Sequence, residues 1–174
     1  MRTLIKDLSR VLPNTLRVNR GKLSISGVAQ EAIESGADRV IIVERHKGNP
    51  GSILFYRIIL GRLMQVPPQI YLNEVKTQDE LGERKSIKEG LIITTPSNPS
   101  TEIKRLASAL SDFLRTPYLE EPDTMNFKAA AYLSPTPKYE AKISFGMLPM
   151  AKEIGPVIIV KYASFKGDAH ERNQ

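Results

Sequence analysis

Residues 36–56 read GADRVIIVERHKGNPGSILFY. Within them, 39–44 (RVIIVE) is a continuous apolar run bounded by turn formers, which predicts a buried central strand. Residues 46–51 (HKGNPG) crowd glycine, asparagine and proline together, so the chain turns there. Residues 53–60 (ILFYRIIL) supply a second strand. A sheet is therefore expected, and its neighbours in sequence decide what packs on it.

N-terminal to this stretch the period changes to that of a helix. Leu4, Ile5, Leu8, Val11 and Leu12 share one helical face within TLIKDLSRVL (3–12), and Pro13-Asn14 stops it. Residues 15–18 read as a short strand and 19–22 (NRGK) as a turn. A second helix is predicted over 25–35, with Ile25, Val28, Ala29, Ala32 and Ile33 on one face, Ser24 as N-cap and Gly36 as its stop.

C-terminal to it, 69–75 (QIYLNEV) is a strand, and Pro67-Pro68 makes any strand through that point an edge or a corner. Residues 76–90 (KTQDELGERKSIKEG) are polar and charged, as suits an exposed connection between two units. Then come a strand at 91–95 (LIITT), a loop at 96–100, and an amphipathic helix over 101–115 carrying Ile103, Leu106, Ala107, Leu110, Phe113 and Leu114. An acidic loop at 117–126, strands at 127–133, 139–145 and 156–164, and a polar tail at 166–174 complete the chain. The fold class is α/β. The stretches of about 1–75 and 91–165 each hold a helix ahead of a run of strands, and KDLSRVL (6–12) faintly matches ASALSDFL (107–114), a weak sign of an internal repeat.

Composition narrows the chemistry. The 174 residues include no cysteine and two histidines, His46 and His170, so neither a disulfide nor a His-rich metal site is expected. No apolar run reaches the roughly 18–20 residues of a membrane span. The N-terminus lacks a secretory apolar stretch, so a cytoplasmic location is expected. The net charge is +6, and residues 1–62 hold eleven Lys/Arg against five Asp/Glu, so they carry the entire excess. Such asymmetry points to a polyanionic partner on that surface.

Three basic groups are candidates for nucleic-acid contact. The first is the turn at 17–22, where Arg17, Arg20 and Lys22 offer charge to phosphates, Gly21 lets the backbone approach, and Asn19 reads a base edge or caps the turn. The second is Arg45, His46, Lys47 and Asn49, with two fixed cations and an imidazole able to stack; Asn49-Pro50-Gly51 suits a demanding turn as well. The third is the stripe Arg2, Lys6 and Arg10, repeated every four residues on the first helix, which equally suits a solvated face. Tyr56, Tyr71, Tyr132, Tyr139 and Phe145 fall on strands, where packing is the ordinary role and base stacking the alternative. Residues 48–52 lack the GK[ST] ending of a phosphate loop, and no dinucleotide fingerprint, triad setting or metal-spaced carboxylate set is present. An enzyme is not expected, nor a cofactor or small-molecule substrate.

IKDLSRVLPN (5–14), NRGKLS (19–24), the stretch 36–56 and EIGPVIIVKY (153–162) together resemble the Brix-domain family of ribosome biogenesis proteins in its short archaeal form. The strand ending Glu-Arg, followed by a Gly-Asn-Pro turn and a further strand, is the most specific part, and the Ile-Gly-Pro opening of the last strand is the second. The resemblance implies a two-half domain, each half a mixed sheet with packed helices similar to the anticodon-binding domain of class II tRNA synthetases. It implies binding to rRNA precursors during rRNA processing, without catalysis and alongside other assembly proteins. Family members open with a strand and a Thr-Ser-Ser-Arg-Pro-type loop before the first helix. Here that helix starts almost at Met1, which implies an unpaired sheet edge in the first half where the strand is missing. A tRNA-binding module and a protein–protein adaptor are the alternative readings.

Overall fold

The computed structural model describes residues 2–87, 89–121 and 126–166. Two helices precede the first strands: α1 (Arg2–Val11) and α2 (Ile25–Glu34). The Ser24 hydroxyl accepts from the Gly27 amide at the start of α2, and Gly36 follows in left-handed conformation (φ 71°), as the capping residues predict. Residues 15–18 form no strand. They are exposed and belong to an irregular link between the helices, where no neighbouring strand supplies a ladder.

Strands β1 (Arg39–His46), β2 (Asn49–Ile59) and β3 (Arg62–Lys76) make an antiparallel meander. The chain continues through β4 (Leu91–Thr95), α3 (Thr101–Leu114), β5 (Tyr118–Glu120), β6 (Ala129–Ser134), β7 (Ala141–Met147), β8 (Lys152–Glu153) and β9 (Val157–Ser164). All the strands join one mixed nine-stranded sheet in the order β1-β2-β3-β9-β7-β6-β4-β5, with β8 beside β7. β4 runs parallel to both β5 and β6, the crossover being made by α3. No described helix is long and apolar enough to cross a membrane.

Four expectations need correction. β1 is not central; β2 is its one neighbour among the described residues, and it ends the sheet. Its apolar run reflects two covered faces instead. Val43 enters the main core, while Ile42 is buried on the opposite face, outside that core. β3 continues through Pro67-Pro68 and is interior, between β2 and β9, so the edge alternative does not hold. The prolines do mark a corner: Phe55 pairs with Val66 but Ile53 with Ile70, so the ladder skips where proline has no N–H to give. The acidic loop at 117–126 contains β5, a short strand whose one strand partner among the described residues is the parallel β4. Finally, the 76–90 connection is anchored: Gln78 and Ile87 are buried.

One core serves the whole sheet. Leu4, Leu8 and Val11 of α1 and Ile103, Leu106 and Phe113 of α3 share it with Ile53, Phe55, Ile93, Leu133, Phe145 and Ile158. Phe113 meets Phe55 edge-on, with ring centroids 4.9 Å apart. Around them Arg57 pairs with Asp112 at 2.7 Å and Arg115 with Asp38 at 2.6 Å, so α3 is tied to the β1–β2 end.

The α1 face hides a charge that helical periodicity does not announce. Asp7 is fully buried, and its Oδ2 accepts from the Gln78 amide at 2.8 Å. Its Oδ1 has no hydrogen-bond partner, and Arg10 lies 3.8 Å away. Burial pushes the Asp7 carboxyl above its ordinary range, against the pull of the Gln78 amide and Arg10. The Gln78 side chain donates to Lys85 O at 2.8 Å and accepts from Arg10 Nη1 at 3.2 Å.

Candidate nucleic-acid interface

The link before α2 is held by its own backbone. Leu23 N donates to Arg20 O at 2.9 Å, Arg20 Nε donates to Leu23 O at 3.2 Å, and Gly21 sits at φ 52°. Arg17, Asn19, Arg20 and Lys22 are all exposed on it. Arg17 and Lys22 make no hydrogen bond or ion pair with another described residue.

The β1–β2 turn brings Arg45, His46, Lys47 and Asn49 to an exposed tip. His46 pairs with Asn49 in register, while Lys47 (φ 50°) and Gly48 (φ 87°) both turn left-handed. Gly51 has a packing reason to be glycine: an added Cβ would fall 2.5 Å from the His46 Cβ. The cations carry no such structural duty, since Arg45 and Lys47 are unpaired among the described residues.

The third group divides. Arg2 and Lys6 are exposed on α1. Arg10 turns inward to Asp7 and Gln78, so the stripe is shorter than its spacing suggests. The reason is the buried carboxylate at position 7, one turn away.

Elsewhere many cations are neutralised, although Arg62, Lys76, Lys85, Lys161 and Lys166 are also exposed without an ion pair to a described residue. Lys104 meets Glu120, Lys142 meets Glu153, Lys152 meets Glu83, and Lys128 meets Glu89. The Glu120 carboxylate beside Lys104 holds that amine above its ordinary value. Arg105 lies over the Phe165 ring, 4.0 Å from its centroid. Unpaired positive charge is thus densest on the N-terminal link, the exposed side of α1 and the β1–β2 turn.

The aromatics separate by face. Phe145 is buried, Tyr132 and Tyr139 are half-buried, and the Tyr56 hydroxyl donates to Gln65 at 3.4 Å. Burial raises the Tyr132 phenol above its ordinary value. Tyr71 stacks on Tyr162, centroids 4.3 Å apart and planes 21° apart. Strand alternation singles out Tyr71; its pairing with Tyr162 depends on register between β3 and β9, which lie far apart in sequence.

The fold itself is an established one. It matches the crystal structure of a probable ribosomal biogenesis protein from Aeropyrum pernix with a TM-score of 0.77 at 24% identity, over 92% of this chain and 88% of that one. It also matches Mil, an archaeal Imp4-like protein, with a TM-score of 0.62 at 19% identity, over 95% of this chain and 91% of that one. The fold is α/β with a mixed sheet, and these two structures share it. No family model matches the chain. Curated relatives do. A Pyrococcus abyssi protein is 30% identical over 175 residues, 89% of this chain and 75% of that protein. A Methanopyrus kandleri protein is 36% identical over 118 residues, 65% of this chain and 59% of that protein's length. Both are named probable Brix domain-containing ribosomal biogenesis proteins, and this chain belongs to that Brix-domain family.

Proposed function

We propose that this protein is a non-catalytic ribosome assembly factor that binds rRNA or its precursor through the basic surface of its first 62 residues. The observation that carries the reading is the gathering of unpaired cations: Arg2, Lys6, Arg17, Arg20, Lys22, Arg45 and Lys47 are exposed and make no ion pair with a described residue. Cations without internal partners are available to phosphates, and each phosphate neutralised releases counterions, so affinity falls with salt. His46 and Asn49 sit among these cations and contribute contacts to bases or sugars. The near-neutral second half completes the RNA site or meets other assembly proteins, and the work is cytoplasmic.

The sheet order supports an internal duplication. β1-β2-β3 and β6-β7-β9 are each antiparallel runs, meeting at the antiparallel β3–β9 pair, and α1 and α3 precede them in their halves. On this reading residues 1–75 and 91–165 are the repeats, each related to an anticodon-binding domain, joined by 76–90 within a single Brix domain.

The test is charge reversal at two exposed positions. Arg20→Glu with Lys22→Glu should weaken binding to an rRNA fragment and flatten the plot of log affinity against log salt by about 1–2. Parental affinity and slope in the double variant would overturn the assignment of these residues. Equal displacement of the fragment by tRNA at matched salt would favour a tRNA-binding module instead.

A further inference from the structure

We propose that the stacked pair Tyr71–Tyr162 is a base-stacking platform for an unpaired RNA segment whose phosphates rest on Arg45 and Lys47. The proposal rests on the RNA-binding reading above and names the form of RNA that the surface takes.

Sheet alternation gives the argument its geometry. Ile70 and Ala163 face the helix-covered core, so their chain neighbours Tyr71 and Tyr162 face away from it. Register then draws one row across four strands: Glu44 pairs with Ser52, Ser52 with Tyr71, and Tyr71 with Tyr162. All these side chains share the outer face, and the Ser52 hydroxyl donates to Glu44. With strands about 4.8 Å apart, Tyr71 lies on the order of 10 Å from Glu44; Arg45 follows it on the opposite face of β1, so its side chain reaches the row around the end of the strand, where the turn at Lys47 begins. Phosphates and bases of one strand of RNA can span that distance together.

Exposure and charge fit the occupant. Tyr162 is 43% exposed, a large value for an aromatic in an interior strand. It is already held against Tyr71, so a base that stacks on it meets a ring with little freedom left to lose. Arg45, Lys47 and Lys161 are exposed and unpaired among the described residues. Two carboxylates lie near the row and keep their charge, Glu44 accepting from Ser52 at 3.2 Å and Glu140 from the Ala163 amide at 3.1 Å, and Arg45, Lys47 and Lys161 outnumber them. A base paired in a duplex hides its face within its own stack, so the platform selects single strands.

The test compares a fluorescein-labelled 12-nucleotide oligouridine with a 12-base-pair RNA duplex by anisotropy. Tyr162→Ala should lower oligouridine affinity about 5- to 100-fold and leave duplex affinity and the salt slope unchanged. Tyr162→Phe should bind oligouridine like the parent, since the ring suffices. A melting temperature shared by the variants and the parent excludes misfolding. If Tyr162→Ala binds oligouridine normally while Arg20→Glu/Lys22→Glu loses RNA, the platform is refuted and the basic-surface reading stands. If the parent binds neither RNA, both are refuted. If Tyr162→Ala keeps all RNA binding but loses an assembly protein, the surface is a protein contact and the platform falls.

Discussion

Replacing Gln78 by methionine tests whether residues 76–90 are a linker or part of the body. The side chain is fully buried, and methionine matches its length without its polar atoms. The change removes the donor to Lys85 O at 2.8 Å and the acceptor for Arg10 at 3.2 Å, while the main-chain bond to Asp7 stays. A neutral hydrogen bond contributes about 1 kcal/mol net and one to a charged group about 1.5–3. The expected loss is therefore about 3 kcal/mol. For a chain of this size that lowers Tm by about 6–12 °C. Urea unfolding and a thermal melt measure it, and limited trypsin digestion at Arg84 and Lys85 should quicken in parallel. A loss below about 0.5 kcal/mol, within the range of an ordinary surface substitution, would refute the anchoring argument.

Asp7 gives a pH prediction with a definite sign. Its folded-state value is raised by burial, so the charged carboxylate costs stability; that cost is absent well below the ordinary carboxylate range and grows as pH rises through the raised value. Asp7→Asn escapes it, so its stability relative to the parent should climb as pH rises from the ordinary carboxylate range upward, and a flat difference in urea titrations would contradict this. Leu60 is 98% exposed at φ 49° in the β2–β3 turn, ahead of Gly61 at φ 75°. Leu60→Asn should raise stability by about 0.5–1 kcal/mol, because asparagine tolerates the left-handed region that leucine resists. Phe113→Ala removes a ring that is 3% exposed and packs edge-on against Phe55, and should cost about 3–5 kcal/mol in chemical denaturation.

The basic surface was legible only in part. Charge asymmetry located the positive region, because net charge needs no contact map. Which cations stay free did need one: Arg2 and Arg10 look alike on a helical wheel, yet only Arg10 meets a buried carboxylate and Gln78 across the fold. Tyr162 was missed for the same reason, since its partner lies 91 positions earlier and only the β3–β9 register joins them.

Local sequence determined what local physics controls. The three helices follow from their periodic apolar faces, with Ser24 and Ser100 capping α2 and α3. The turn at 46–51 follows from Gly48 and Gly51, and most strands from β-branched runs. Sheet order was beyond such reasoning. RVIIVE reads as central because an apolar run reports burial of both faces, and burial does not distinguish two covering layers from two flanking strands. β5 is three residues long and Gln78 is polar, so neither carries a local signature; one exists through parallel pairing with β4, the other is buried by bonds to Arg10 and Lys85. Backbone propensity and amphipathicity act over a few residues, whereas pairing partners and buried polar bonds are fixed by segments far apart in the chain, and those the folded structure alone decides.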